Sequence, residues 1–433
     1  MTPTDVPNGG SVSPGYEAVQ QEFIAGLGGF DEGGGGFAAY VGGRPVVDIW
    51  GGYARPGQAW ASDNRAVVMS TTKGMVTICA AILYDRNLLD IEAPVSTYWP
   101  EFAQNGKSST TVRHFLTHTS GLLGFDDRPT LTWTGEGWGD YDVIAAGLAA
   151  AAPRWEPGTK FGYHAMTYGW LVGELVRRIS GQTVGQFFAN EVANPLQLEL
   201  NIGTPKELIP RVAYITDNLT AGMPAAMRLV LGRAIRKLRD PKSFSGQAFL
   251  SDGTSSLMDH APDLFNGGLA LEPEIPSGNG TATARALARV YAALAMGGEL
   301  DGVRLMSAET VAKFGTQVQE MPDQLMNDVL PFGLVHRVMK PVRRSAGFLI
   351  NPKTGKEPYH FGPNPAAFGH DGAGGQIAFC DLENHVSVGF VRNAMTSSAA
   401  YSTKVINRLY ECVRDHPIPA PLSSTGLPDT AAS

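Results

Sequence analysis

The chain has 433 residues, 43% hydrophobic and 17% charged, with 34 basic against 41 acidic side chains and a net charge of −7. That length holds one large enzyme domain or two to three smaller ones, and an acidic balance without a long basic block argues against nucleic acid or anionic membrane as partners. Three scattered cysteines (Cys79, Cys380, Cys412) make neither a metal pattern nor a disulfide framework. No apolar run spans a bilayer and no leader pattern precedes Tyr16, so a cytoplasmic protein without a membrane span is expected.

Residues 1–15 are polar and rich in Gly and Pro and are expected to be a flexible terminus. Residues 16–25 read as a helix ending at Gly26, and 37–41 and 45–50 as two strands joined through Gly42-Gly43. Residues 66–69 lead into a helix whose apolar positions Met75, Ile78, Cys79, Ile82 and Leu83 follow helical spacing. At its head stands Ser70-Thr71-Thr72-Lys73. Three residues make nearly one helical turn, so the Ser70 hydroxyl and the Lys73 amine share a face. If the helix begins at Ser70, the hydroxyl also meets the positive end of the helix dipole. A serine needs a neighbouring base to become a nucleophile, and lysine serves when burial or a second cation lowers its pKa. A lone Ser-x-x-Lys is equally a helix N-cap followed by a surface lysine, so the rest of the chain must decide.

Residues 111–118 form a short helix ending before Gly121. His114 and His118 have metal-compatible spacing but no intervening glutamate and no third ligand nearby, so packing and hydrogen bonding are their expected roles and no metal is expected. The loop 128–141 carries Trp133 and Trp138, which line an apolar acyl pocket or belong to the core. Helices are expected over 142–152 and over 167–179, the second closed by Gly181, with Tyr163 in the segment between them. Residues 206–268 are mostly helical and polar, and their basic stretch 228–242 reads as a solvated helix. A helix over 281–296 follows. Strands are expected at 332–335, 375–380 and 386–391, then a helix over 403–413 and a flexible tail over 417–433. Strands near both ends with helices between predict one sheet built from both ends of the chain, a discontinuous α/β domain of residues 16–100 and 280–416, and a mostly helical domain of residues 101–279.

Four segments together resemble a known group: Ser70-Thr71-Thr72-Lys73, the run from Val112 through His118 to Leu122, Gly162-Tyr163-His164-Ala165, and Gly369-His370-Asp371-Gly372-Ala373-Gly374-Gly375. The chain resembles the serine β-lactamases and penicillin-binding proteins, and within them the family VIII carboxylesterases, which are similar to class C β-lactamases. The resemblance implies an α/β (α+β) β-lactamase/DD-peptidase-like fold, with a central antiparallel sheet flanked by helices plus a mostly helical domain. It implies Ser70 as nucleophile, Lys73 and Tyr163 in proton transfer, and the N–H groups of Ser70 and Ala373 as the oxyanion hole. His370, Asp371 and Gly372 would form the substrate-binding strand, with His370 binding substrate or tuning the site. The implied substrate is a small carboxylic ester and no cofactor is needed; oligomeric state is left open. Transacylation, amide or β-lactam hydrolysis, and an idle β-lactam sensor remain as alternatives.

Two departures matter. β-Lactamase relatives carry Tyr-x-Asn, but Ala165 stands at the third position, which favours esters over β-lactams. Lys353-Thr354-Gly355 spells the β-lactamase Lys-Thr-Gly, yet Lys356, Glu357 and Pro358 follow it, which suits a surface turn rather than a ladder strand. No Gly-x-Ser-x-Gly elbow occurs.

Overall fold

A computed structural model of the chain describes residues 6–28, 33–217, 225–325, 341–352, 360–396 and 400–416. Its centre is a nine-stranded antiparallel sheet: β1 (Asn8–Val12), β2 (Gly35–Val41), β3 (Arg44–Gly51), β4 (Gln319–Met321), β5 (Val342–Arg344), β6 (Leu349–Ile350), β7 (Phe368–Gly372), β8 (Gln376–Asp381) and β9 (Val386–Arg392), in spatial order β1-β3-β2-β9-β8-β7-β6-β5-β4. The junction between the two ends of the chain is the β2–β9 ladder, where Phe37 faces Phe390 and Val41 faces Val386. All seven residues of β2 are buried, because both faces of the sheet are covered; such strands read as continuous apolar runs rather than alternating ones.

Seven helices matter for the site and its frame: α1 (Glu17–Ala25), α2 (Thr72–Asp85), α3 (Val112–Leu116), α4 (Tyr141–Ala150), α5 (Thr167–Ser180), α7 (Ala284–Ala295) and α8 (Ala400–Asp415), with α6 (Leu257–Asn266) beside the cleft. α1 and α8 cover one face of the sheet through Val19, Phe23, Ile406 and Leu409, packed on Phe37, Ile49, Phe379 and Phe390. The alanine-rich α7 covers the other face. It approaches so closely that a Cβ at Gly389 would lie 2.2 Å from the Ala284 carbonyl oxygen, so only glycine fits that point of β9. α2 lies deeper still, between sheet and helical layer, with every residue from Thr72 to Leu83 buried. The apolar face expected from the spacing is present, but the helix is enclosed on all sides.

The expectation of a flexible segment over residues 1–15 is corrected at β1. Asn8 to Val12 pair with Gly51 to Val47 of β3 and extend the sheet by one edge strand. An edge strand is held by its backbone ladder and needs few apolar side chains, so its polar, glycine-rich sequence conceals it. The terminating glycine of α5 is where the spacing puts it: Gly181 caps the helix at φ 73°. Residues 332–335, Lys353-Thr354-Gly355 and the tail 417–433 lie outside the described residues.

Candidate active site

Ser70 sits in a 3₁₀ turn, Met69–Thr71, immediately before α2. The α-helix thus starts two residues after Ser70 rather than at it, yet the turn keeps the Ser70–Lys73 spacing. The preceding residue, Met69, is held at φ 49°, a costly conformation for a non-glycine residue that the surroundings must impose. They do so through Thr72, whose Oγ1 donates to the Met69 carbonyl at 2.6 Å and accepts from the Gly280 N–H at 3.0 Å. The Val68 N–H donates to the Gly280 carbonyl at 2.8 Å. The Ser70 turn is thus clamped from a distant loop.

Lys73 is 0% exposed. Its Nζ lies 3.1 Å from Ser70 Oγ and donates to the Ser277 carbonyl at 2.9 Å. Burial pushes its pKa well below the ordinary lysine value, the Arg344 charge lowers it further, and Asp371 opposes both. A neutral amine beside a serine hydroxyl is a base. Tyr163 is half-buried; Lys73 Nζ stands 4.9 Å from its ring centroid. Its phenol hydrogen-bonds Ser70, but burial raises its pKa and outweighs the lowering by Arg344 and by that bond. Tyr163 therefore rests protonated, and Lys73 is the better base of the two.

Ala373 follows β7 directly and lines the same cleft as Ser70. The end of β7 presses on the Ser70 turn: a Cβ at Gly372 would lie 2.5 Å from the Val68 carbonyl oxygen and 3.1 Å from Thr71 Oγ1. His370 is on that same strand face, two residues back, and is turned toward α2. Its imidazole is fully buried, donates from Nδ1 to the Asp371 carbonyl at 2.6 Å, and does not line the cleft. Of the two roles expected for His370, substrate binding or tuning of the site, its burial with its ring 6.3 Å from that of Tyr163 suits the second, while strand alternation sends Asp371, 43% exposed at its side chain, the opposite way.

The two tryptophans also separate. Trp138 is buried, donates Nε1–H to the Thr132 carbonyl at 2.8 Å and lines the cleft. Trp133 is not a lining residue; its indole donates to Asp252 at 2.8 Å and stacks on His260 at 4.8 Å. The cleft leaves a free volume of about 50 Å³ and is completed by Met69, Ala165, Met166, Phe249, Leu257, Phe265, Ile275 and Met395, with no charged side chain among its described lining residues.

Ser277 and Arg344 escaped the sequence reading, and His118 and His164 were named in it without a place beside Lys73 and Tyr163. Ser277 holds Lys73 through its carbonyl while its hydroxyl donates to the Met166 carbonyl at 2.8 Å and accepts from the Gly169 N–H at 2.7 Å. His118 stacks on Tyr168 at 4.6 Å and tilts against Tyr163 at 5.2 Å. Its Nδ1 accepts from the His164 N–H at 3.1 Å. His164 is tied to Ser120 at 2.8 Å and to the Gly162 carbonyl at 2.6 Å. Arg344 lies beyond them. A lone serine or arginine carries no pattern, whereas the run through His118 to Ser120 was visible as a motif, and the packing and hydrogen bonding expected of His118 are what it shows. His114, by contrast, caps α3, accepting from the Thr111 N–H at 3.2 Å.

Gly74 tests how tightly α2 is held. In an open helix Gly→Ala stabilises by about 1 kcal/mol. Here the new Cβ would lie 2.2 Å from the hydroxyl of the fully buried Tyr291. Overpacking of this kind costs about 1–3 kcal/mol, so the clash wins. Gly74→Ala should lower the melting temperature, read by thermal denaturation; an unchanged or higher value would show that Tyr291 has room to move.

Comparison with known proteins agrees with this arrangement. The beta-lactamase family model matches residues 22–410. The chain is 36% identical over 398 residues to the esterase/beta-lactamase LipL of Mycobacterium tuberculosis, across 90% of this chain and 83% of LipL. It is similar in structure to a family VIII carboxylesterase, with a TM-score of 0.76, 31% identity and coverage of 94% of this chain and 100% of that one. A penicillin-binding protein homologue from Caulobacter crescentus gives the same TM-score, identity and coverage. With the antiparallel sheet, the clamped Ser-x-x-Lys turn and these matches together, the chain belongs to the beta-lactamase family, in its family VIII carboxylesterase branch.

Proposed function

We propose that the protein hydrolyses carboxylic esters with uncharged, apolar acyl groups through an acyl-enzyme on Ser70. The observation that carries this reading is the buried Lys73 amine 3.1 Å from Ser70 Oγ. Neutral Lys73 takes the Ser70 proton as Oγ attacks the ester carbonyl. The N–H groups of Ser70 and Ala373 hold the oxyanion, each such donor being worth about 3 kcal/mol in the transition state. The tetrahedral intermediate collapses, and the departing alkoxide receives its proton from the protonated Lys73 through Tyr163. Water then attacks the acyl carbonyl, gives its proton back along the same relay, and the acid leaves with Ser70 restored. The apolar cleft supports an uncharged acyl group, and esterase activity is what the names of LipL and the family VIII relative state for those proteins.

The test is kcat/KM across nitrophenyl esters of increasing chain length, beside a chromogenic cephalosporin. Ester turnover should exceed cephalosporin turnover, because Ala165 leaves a β-lactam side-chain amide without a polar partner at that position. Efficient cephalosporin hydrolysis with feeble ester turnover would replace this reading with a β-lactamase.

A further inference from the structure

Behind the cleft lies a charged group that the mechanism above leaves unused. Arg344 ends β5 and is 7% exposed. Its guanidinium carbon stands 5.0 Å from the ring centroids of both Tyr163 and Phe161. Its Nε and Nη1 are buried without a hydrogen-bond partner among the described residues. A permanent cation enclosed in this way is costly, and two aromatic faces return only part of that cost.

The groups facing Lys73 and Tyr163 come from every surrounding segment. His118 and His164 lie on the helical side, His370 and Asp371 on β7, Asp323 beyond β4, and Arg344 on β5. The three histidines are uncharged at neutral pH: burial holds His118 and His370 well below the usual histidine range and His164 at about 4. The charged side chains that remain are Arg344 and Asp371, with Asp323 beside them, its carboxyl pKa pushed up by burial. Asp323 Oδ1 accepts from the Tyr163 N–H at 3.3 Å and the Leu325 N–H at 3.0 Å.

We propose that Arg344 is a positioning residue for the Ser70 reaction, supplying the fixed positive charge that keeps the Lys73 amine unprotonated and the Tyr163 phenol ready to pass on its proton. The proposal rests on the acyl-enzyme reading above. After burial, Arg344 is the largest influence lowering the Lys73 pKa, and it is the largest one opposing the rise at Tyr163. Asp371 acts in the opposite sense on both. Arg344 touches neither the cleft nor the reacting oxygen, so its effect runs through those two residues.

The sign follows directly. Without the Arg344 charge, Lys73 holds its proton to higher pH. The readout is the rate at which a fluorophosphonate modifies Ser70, measured against pH, which needs no turnover. In Arg344→Gln the acid limb should move to higher pH, with the rate at pH 7 down about tenfold. In Asp371→Asn the limb should move to lower pH, and the double variant should return toward wild type. An Arg344→Gln limb that coincides with wild type, with only a lower melting temperature, would reduce Arg344 to a packing role. Should Arg344→Gln fail to fold, Asp371→Asn decides: a limb that stays put or moves upward overturns the proposal. Ser70 modification without any ester turnover in the wild type would sink the ester reading instead and leave the charge effect standing.

Discussion

Ser70→Ala is expected to yield a folded protein that has lost ester hydrolysis by roughly 10⁴-fold or more in kcat, as removal of a covalent nucleophile does elsewhere. The fold should survive because the turn is held by other atoms. The Thr72 hydroxyl, the Gly280 N–H and carbonyl, and the Val68 N–H form the clamp, and none of them involves the Ser70 side chain. What the variant loses is the oxygen that Lys73 and Tyr163 both reach. Steady-state rates on a nitrophenyl ester, a melting curve and mass spectrometry after fluorophosphonate treatment check the three parts. A folded variant that keeps most of its activity would place the reaction at another residue and defeat the mechanism.

Tyr163→Phe should lower kcat by roughly a thousandfold, within the 10²–10⁴-fold range of general acid–base steps. The ring keeps its packing on His118 and beneath Arg344, so the melting temperature should change little. Only the phenolic oxygen is lost. Because burial raises the Tyr163 pKa, the proposed mechanism uses no resting phenolate and has the phenol relay a proton between Lys73, the leaving oxygen and water. The pH profile separates these roles. Activity should rise as Lys73 loses its proton, at a pH well below the ordinary lysine value of 10.5. If Tyr163→Phe turns over ester near the wild-type rate, the tyrosine leaves the mechanism and Lys73 carries every proton alone.

Several features of this site depend on spacing within one element, and those were legible in the chain itself. Ser70 and Lys73 share a face because helical geometry puts residues three apart on one side. The hairpin of β2 and β3, the glycine stop of α5 and the pairing of β8 with β9 are likewise local. The run ending at Gly375 could be placed beside Ser70 only by resemblance, since nothing local ties residues so far apart.

Tertiary structure alone decided the rest. β1 is a strand because β3 offers it a ladder, not because of its own side chains. His370 turns inward because β7 is itself a strand, with alternate residues on opposite faces. Trp133 and Trp138 are five positions apart on one loop, yet only Trp138 reaches the cleft, since Asp252 and His260 hold the other indole. Above all, the state of Lys73 could not be read from Ser-x-x-Lys. Whether that amine is a surface cation or a buried base depends on the water it has lost and on a guanidinium from the far end of the chain. Desolvation and charge act through space, and the neighbours that supply them are set by packing rather than by sequence order.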